Sequence, residues 1–350
     1  MPTRYPWQHE DWSRLQALRE RLPSALLIKG GQGIGKFDLA MAFAQSLLCR
    51  QIDQAGDVCG QCEQCLWFTQ ASHPDFRLLQ PDALSVKEAG NRDASSWVKR
   101  AADEALADTK KKPGKDIPVD KIRSLSDFVN QSSHQRGKRI VVIYPAEMMN
   151  VNAANALLKS LEEAAEDLLF ILVTHKPQQL LPTILSRCMS FTVSQPPVEI
   201  ATRWLKAMGV SDPDSALALS GFSPLVALGA AEIAGSEARA SLLRALRRPV
   251  SLDVFALAET LQKTEQVLVV QWLQQWSFDL NMMKAAGRLR YHLGEETEIK
   301  TLVEPLALLD LARLSGYLQT AKREAQHTLN PKLFLESLLF SYRRIMLTKV

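Results

Sequence analysis

The chain predicts a parallel α/β domain followed by an all-helical half, and three observations carry that prediction. The apolar run Ala25-Leu26-Leu27-Ile28 enters a glycine-rich turn and then a helical pattern. Strand-like and helix-like runs alternate from there to about residue 193. After Pro196-Pro197 helical periodicity dominates, with no convincing strand.

The 350 residues allow two or three domains. An apolar fraction of 46% and a charged fraction of 23% are ordinary for a globular chain. No run approaches the ~20 apolar residues of a membrane span, and Met1 to Trp12 lacks a signal-peptide stretch. A cytoplasmic protein is expected. A net charge of +4 permits contact with nucleic acid but is a weak field over this length.

The elements follow in order. After the strand at 25 to 28, Phe37, Met41, Ala44 and Leu48 recur at helical spacing. Phe76-Arg77-Leu78-Leu79 predicts a second strand. Residues 82 to 117 contain Asn91-Arg92-Asp93 and the run from Lys110 to Lys115. They predict a solvated insertion, helical around Trp97 to Ala107 and mobile at its basic end. A helix is expected over 119–129, a strand over 140–143, a helix over 152–163 and a strand over 168–174. A helix entering Leu185-Ser186-Arg187-Cys188 precedes a last strand near 189–193. The second half predicts helices at 200–208, 213–220, 224–233, 237–247, 252–261, 266–286, 301–326 (with a break left open) and 331–347. Asn330-Pro331 caps the last of these. The boundaries are 1–195, 196–235 and 236–350, with a break near 234–236.

Gly30-Gly31-Gln32-Gly33-Ile34-Gly35-Lys36 matches the phosphate-loop pattern up to its lysine. Such a loop offers backbone N–H groups and Lys36 to phosphates. The next position needs a hydroxyl for Mg²⁺ and holds Phe37. Tyr144-Pro145 stands after the strand where an Asp-Glu pair is expected. Phosphoryl transfer in this class needs that metal, so the site is expected to be inactive. Weak nucleotide binding and a merely tight helix start both remain open.

Cys49, Cys59, Cys62 and Cys65 fall within 17 residues. Four thiolates at short spacing predict a closed, structural zinc site. An iron–sulfur cluster is the rival, but the run lacks the expected fourth cysteine and proline. Unligated buried thiols are a third reading. Cys188 alone reads as a small buried hydrophobe.

Asn155-Ala156-Leu157-Leu158-Lys159-Ser160-Leu161-Glu162-Glu163, Phe170 to Pro177 and Thr183-Ile184-Leu185-Ser186-Arg187-Cys188 together resemble bacterial clamp-loader subunits of the AAA+ class. The four-cysteine insert after the first helix, Tyr5-Pro6-Trp7 and His73-Pro74-Asp75-Phe76 extend the resemblance. Ala164-Ala165-Glu166 departs from it, where a Pro-Pro pair is usual. The resemblance implies an AAA+ domain, a helical lid and a helical collar. Thr174 then falls at the position that reads the γ-phosphate in active subunits. Gly221-Phe222-Ser223-Pro224-Leu225-Val226 lacks the lid arginine. Arg187 becomes an arginine finger acting in trans, where position alone would read a surface arginine paired with a carboxylate. The implied role is a non-hydrolysing stator in a hetero-oligomer. Its partners would be tau/gamma motor subunits, a delta subunit and, transiently, the sliding clamp and primed DNA. The rivals are an active tau/gamma-type ATPase and a zinc-bearing DNA-binding module outside replication.

Overall fold

The computed structural model describes residues 4–90, 95–107, 112–130, 137–234, 237–325, 327 and 330–347. Asn91-Arg92-Asp93, Lys110-Lys111 and the break at 235–236 lie outside these. The chain divides into two units, Met1–Pro197 and Val198–Val350.

The first unit is a five-stranded sheet. Its strands are β1 (Ala25–Lys29), β2 (Phe76–Leu79), β3 (Arg139–Ile143), β4 (Leu168–Thr174) and β5 (Met189–Thr192). They pair in the order β2-β3-β4-β1-β5, and every pairing is parallel. Strands β3 and β4 are buried along their whole length. A parallel strand covered on both faces reads as a continuous apolar run without alternation.

Side chains of period two divide the core into two layers. Leu26, Ile28, Ile140, Val142, Ile171 and Val173 face one layer, with Leu39 and Phe43 of helix α2 (Lys36–Leu48). Leu27, Val141, Ile143, Phe170 and Leu172 face the other, with Leu157 and Leu161 of α8 (Val151–Glu162). Helix α1 (His9–Ala17) adds Trp12 and Leu15 to the first layer. Asn150 caps α8 by accepting the Ala153 N–H at 2.8 Å.

The rest of this unit comprises α3 (Glu63–Thr69), α4 (Asp82–Ala89), α5 (Ser96–Ala107), α6 (Val119–Arg123), α7 (Ser126–Asn130) and α9 (Pro182–Leu185). The expected helix over 119–129 is therefore two short ones. Among the described residues of the insertion, α5 matches the helix expected around Trp97 to Ala107. The first part of the insertion is the helix α4, which was not expected. Trp97 of α5 is buried, its ring 4.6 Å from Phe76 and 5.8 Å from Phe68. One aromatic face docks on the sheet edge, while the charged face of α5 dominates the composition.

The second unit is helical throughout the described residues: α10 (Val198–Ala207), α11 (Pro213–Leu219), α12 (Pro224–Ala234), α13 (Glu237–Leu246), α14 (Val254–Leu261), α15 (Gln266–Ala286), α16 (Glu296–Val303), α17 (Leu308–Glu324) and α18 (Pro331–Met346). Ala201, Leu205, Leu217 and Ala227 form a small core. A larger one gathers α13 to α18 around Trp276, Leu280, Leu314 and Leu339. The expected helix over 301–326 is broken at Pro305, which cannot donate a helical hydrogen bond; α16 ends before it and α17 begins after it. Among the described residues no helix is long and apolar enough to cross a membrane.

Candidate functional site

The phosphate-type loop joins β1 to α2 at the carboxyl end of the sheet, where parallel α/β proteins place ligands. Gly30 passes close to its surroundings: a Cβ there would lie 3.1 Å from the Val193 carbonyl oxygen. Gly35 begins α2 in the left-handed region at φ 82°. A Cβ on it would lie 2.4 Å from the Tyr5 ring. Glycine is required there on both counts.

The loop is clasped from outside by the N-terminal segment. Trp7 Nε1 donates to the Ile34 carbonyl at 3.0 Å, and Gln8 Nε2 donates to the Gly35 carbonyl at 2.8 Å. Tyr5 and Trp7 stack with centroids 4.9 Å apart. The Tyr5 hydroxyl donates to Asp38 Oδ2 at 3.3 Å. Burial nevertheless pushes the Asp38 carboxyl up to about 6, against the pull of that hydroxyl. In the sequence Tyr5-Pro6-Trp7 is marked only by the resemblance, and nothing there marks Gln8.

Lys36 is buried, and its amine donates to the Gly31 carbonyl of its own loop. Burial pushes that amine down to about 8, with the Glu147 carboxylate opposing. Thr174 is fully buried at the end of β4 in register with Lys29. Its hydroxyl accepts the Lys176 N–H at 3.1 Å. The structure thus brings Gly30, Gly35, Lys36 and Thr174 to one end of β1 and β4.

Two aromatic rings stand beside them. Phe37 and Tyr144 stack with centroids 4.5 Å apart and planes 24° from parallel. The His175 ring meets Tyr144 edge-on at 5.6 Å. Burial raises Tyr144, which keeps it a neutral phenol. Burial, helped by the Lys36 charge, pushes His175 down to about 4. Mg²⁺ takes oxygen ligands at near-octahedral geometry; Phe37 offers none, and Tyr144 offers a neutral phenol in place of a carboxylate. Glu147 belongs to the same group: its Oε1 accepts the His175 backbone N–H at 3.0 Å, and its charge acts on Lys36 and His175.

The four cysteines gather at the end of α2. Cys49 follows that helix, and Cys62 and Cys65 begin α3. Their sulfurs all lie within 4.8 Å of one another. Cys49 stands 3.6 Å from Cys59 and 3.9 Å from Cys62, and Cys59 stands 4.0 Å from Cys65. A bridge between Ile52 and Val58 closes the intervening loop. Trp12 Nε1 anchors it by donating to the Ala55 carbonyl at 2.8 Å. Four sulfurs so placed can hold one metal ion.

Arg187 follows α9, away from both groups in sequence, with a partly exposed side chain. It pairs with Glu162, the last residue of α8, and its Nη1 donates to the Thr183 carbonyl at 3.0 Å. The segment Gly221 to Val226 leads into α12 and carries no arginine. Cys188 packs half-buried against the second core layer, as a small hydrophobe would.

Comparison with known proteins gives a consistent result. The family model described as "DNA polymerase III, delta subunit" matches residues 8–197. A DNA polymerase III subunit delta' of Pseudomonas aeruginosa is 33% identical over 92% of this chain and 86% of its own length. The Escherichia coli subunit of that name is 30% identical over 77% of this chain and 73% of its own. A Bacillus subtilis DNA polymerase III subunit tau is 28% identical over 50% of this chain and 25% of its own.

Proposed function

This chain belongs to the DNA polymerase III delta' family, within the clamp loaders, and we propose that it is the non-hydrolysing stator of its complex. The observation that carries this reading is the Phe37–Tyr144 stack, a phenyl ring and a neutral phenol where a motor subunit holds a hydroxyl and a carboxylate for Mg²⁺. The Lys36 amine serves its own loop through Gly31. The loop then acts as the start of α2, and ATP binding is not part of its work. Arg187 supports a role in trans, because it is the partly exposed guanidinium at the position that the family resemblance marks.

In this reading the protein is a cytoplasmic member of a hetero-oligomer. Its direct partners are tau/gamma motor subunits and a delta subunit, and it meets the sliding clamp and primed DNA transiently. Residues 1–195 form the AAA+ frame, 196–235 the lid and 236–350 the collar that joins the ring. The separate small and large helical cores favour that division of the second half.

The metal is zinc, held by Cys49, Cys59, Cys62 and Cys65. Zinc–sulfur bonds of ~2.3 Å at tetrahedral angles place sulfurs about 3.8 Å apart. Three of the six sulfur separations, 3.6, 3.9 and 4.0 Å, lie close to that value, and all six stay within 4.8 Å. Cluster ligands surround several irons and stand further apart. The zinc ties the loop between α2 and α3 and has no open position for chemistry.

Mixed with the tau/gamma and delta proteins of its own organism, the chain is expected to co-elute with them as one complex. That complex loads the clamp, and loading fails when the chain is omitted. Separate elution, together with tight salt-dependent binding of DNA by the chain alone, would favour the DNA-binding rival instead.

A further inference from the structure

Arg187 does not hang freely from the surface. Its Nη2 meets the Glu162 carboxylate at the end of α8, and its Nη1 donates to the Thr183 carbonyl at 3.0 Å. Helix α9 has only four residues, Pro182–Leu185, so its carbonyls lack the partners a longer helix would supply. Thr183 therefore has an acceptor to offer, which it shares between the Ser186 hydroxyl and Arg187.

Two anchors on different elements fix both the place and the plane of the guanidinium. An exposed arginine otherwise samples many rotamers, and ordering it at the moment of engagement costs free energy. Only two of its N–H donors are spent on the anchors. The remaining ones stay available to phosphoryl oxygens.

We propose that Glu162 is a positioning residue for the trans-acting Arg187, holding it pre-oriented toward a neighbouring subunit's nucleotide. This rests on the finger reading of Arg187 given above. A carboxylate beside the finger also has an opposing effect, because its charge weakens the field at the phosphates. Both side chains are part-exposed, Arg187 at 36% and Glu162 at 51%. Solvent therefore screens that charge effect strongly, and orientation decides the sign.

The test is steady-state ATP turnover of the reconstituted complex with clamp and primed DNA. Glu162→Ala should slow hydrolysis at the motor site that Arg187 serves about three- to fivefold, the reach of an exposed ion pair, and lower kcat of the whole complex by less, with KM for ATP unchanged. Glu162→Gln retains an acceptor and should stay within about twofold of wild type, since hydrogen bonding outlasts the lost charge. In an Arg187→Ala background, Glu162→Ala should have no further effect, because the carboxylate acts only through the arginine. Unchanged or increased kcat for Glu162→Ala overturns the proposal, as does an equal loss in the Arg187→Ala background. If Arg187→Ala itself turns over like wild type, the finger reading fails. If Arg187→Ala is impaired and Glu162→Ala is not, only the positioning role fails.

Discussion

Arg187→Ala is expected to reduce ATP turnover at one motor site of the reconstituted loader by tenfold or more, with the chain still folded and assembled. A guanidinium delivered in trans stabilises charge on the transferred phosphoryl group and supplies about 10³- to 10⁵-fold in related systems. Turnover of the whole complex falls by less to the extent that motor sites not served by this chain contribute to it. The fold should not suffer: the pair with Glu162 is part-exposed and contributes at most about 1 kcal/mol. Arg187→Lys should rescue little, because an ammonium keeps the charge but loses the planar fork. Clamp loading on primed DNA and pre-steady-state hydrolysis read both variants. Wild-type rates in Arg187→Ala would remove the finger role.

Replacing Cys59 and Cys62 together by serine is expected to release one zinc per chain. Structural zinc sites contribute roughly 10–16 kcal/mol of apparent binding energy in small modules. Besides the metal, the loop between α2 and α3 is held by the Ile52–Val58 bridge, the Trp12–Ala55 hydrogen bond and the Arg4–Asp57 ion pair. Metal analysis should find one zinc in the wild type and none in the variant. Limited proteolysis should newly cut between Cys49 and Cys65 and leave the sheet, with its own two-sided core, largely protected. Iron in the wild type, or zinc retained by the variant, would contradict the assignment.

Much of the fold is legible in the sequence because burial on both faces writes itself as unbroken apolar runs. Arg139 to Ile143 and Leu168 to Thr174 are plain for that reason. The cysteine cluster is legible because all four ligands come from one short stretch. Other features are hidden because they depend on residues far apart. Phe37 and Tyr144 each read as a missing ligand; nothing in the sequence says that the two rings stack on each other. The clasp of Trp7 and Gln8 on Ile34 and Gly35 bridges more than 25 positions through backbone carbonyls, which carry no sequence signal. The pairing of Glu162 with Arg187 likewise joins the ends of two elements 25 residues apart. In α5 the buried Trp97 is outvoted by the charged residues of the opposite face.

The proposed stator keeps the frame of an ATPase without its metal chemistry. ATP hydrolysis by the purified chain alone, with Mg²⁺ and then with clamp and primed DNA, tests it most directly. Turnover is expected to be indistinguishable from background, because Phe37 and Tyr144 leave no oxygen pair for the metal. Turnover approaching that of a motor subunit, abolished by Lys36→Ala, would contradict it.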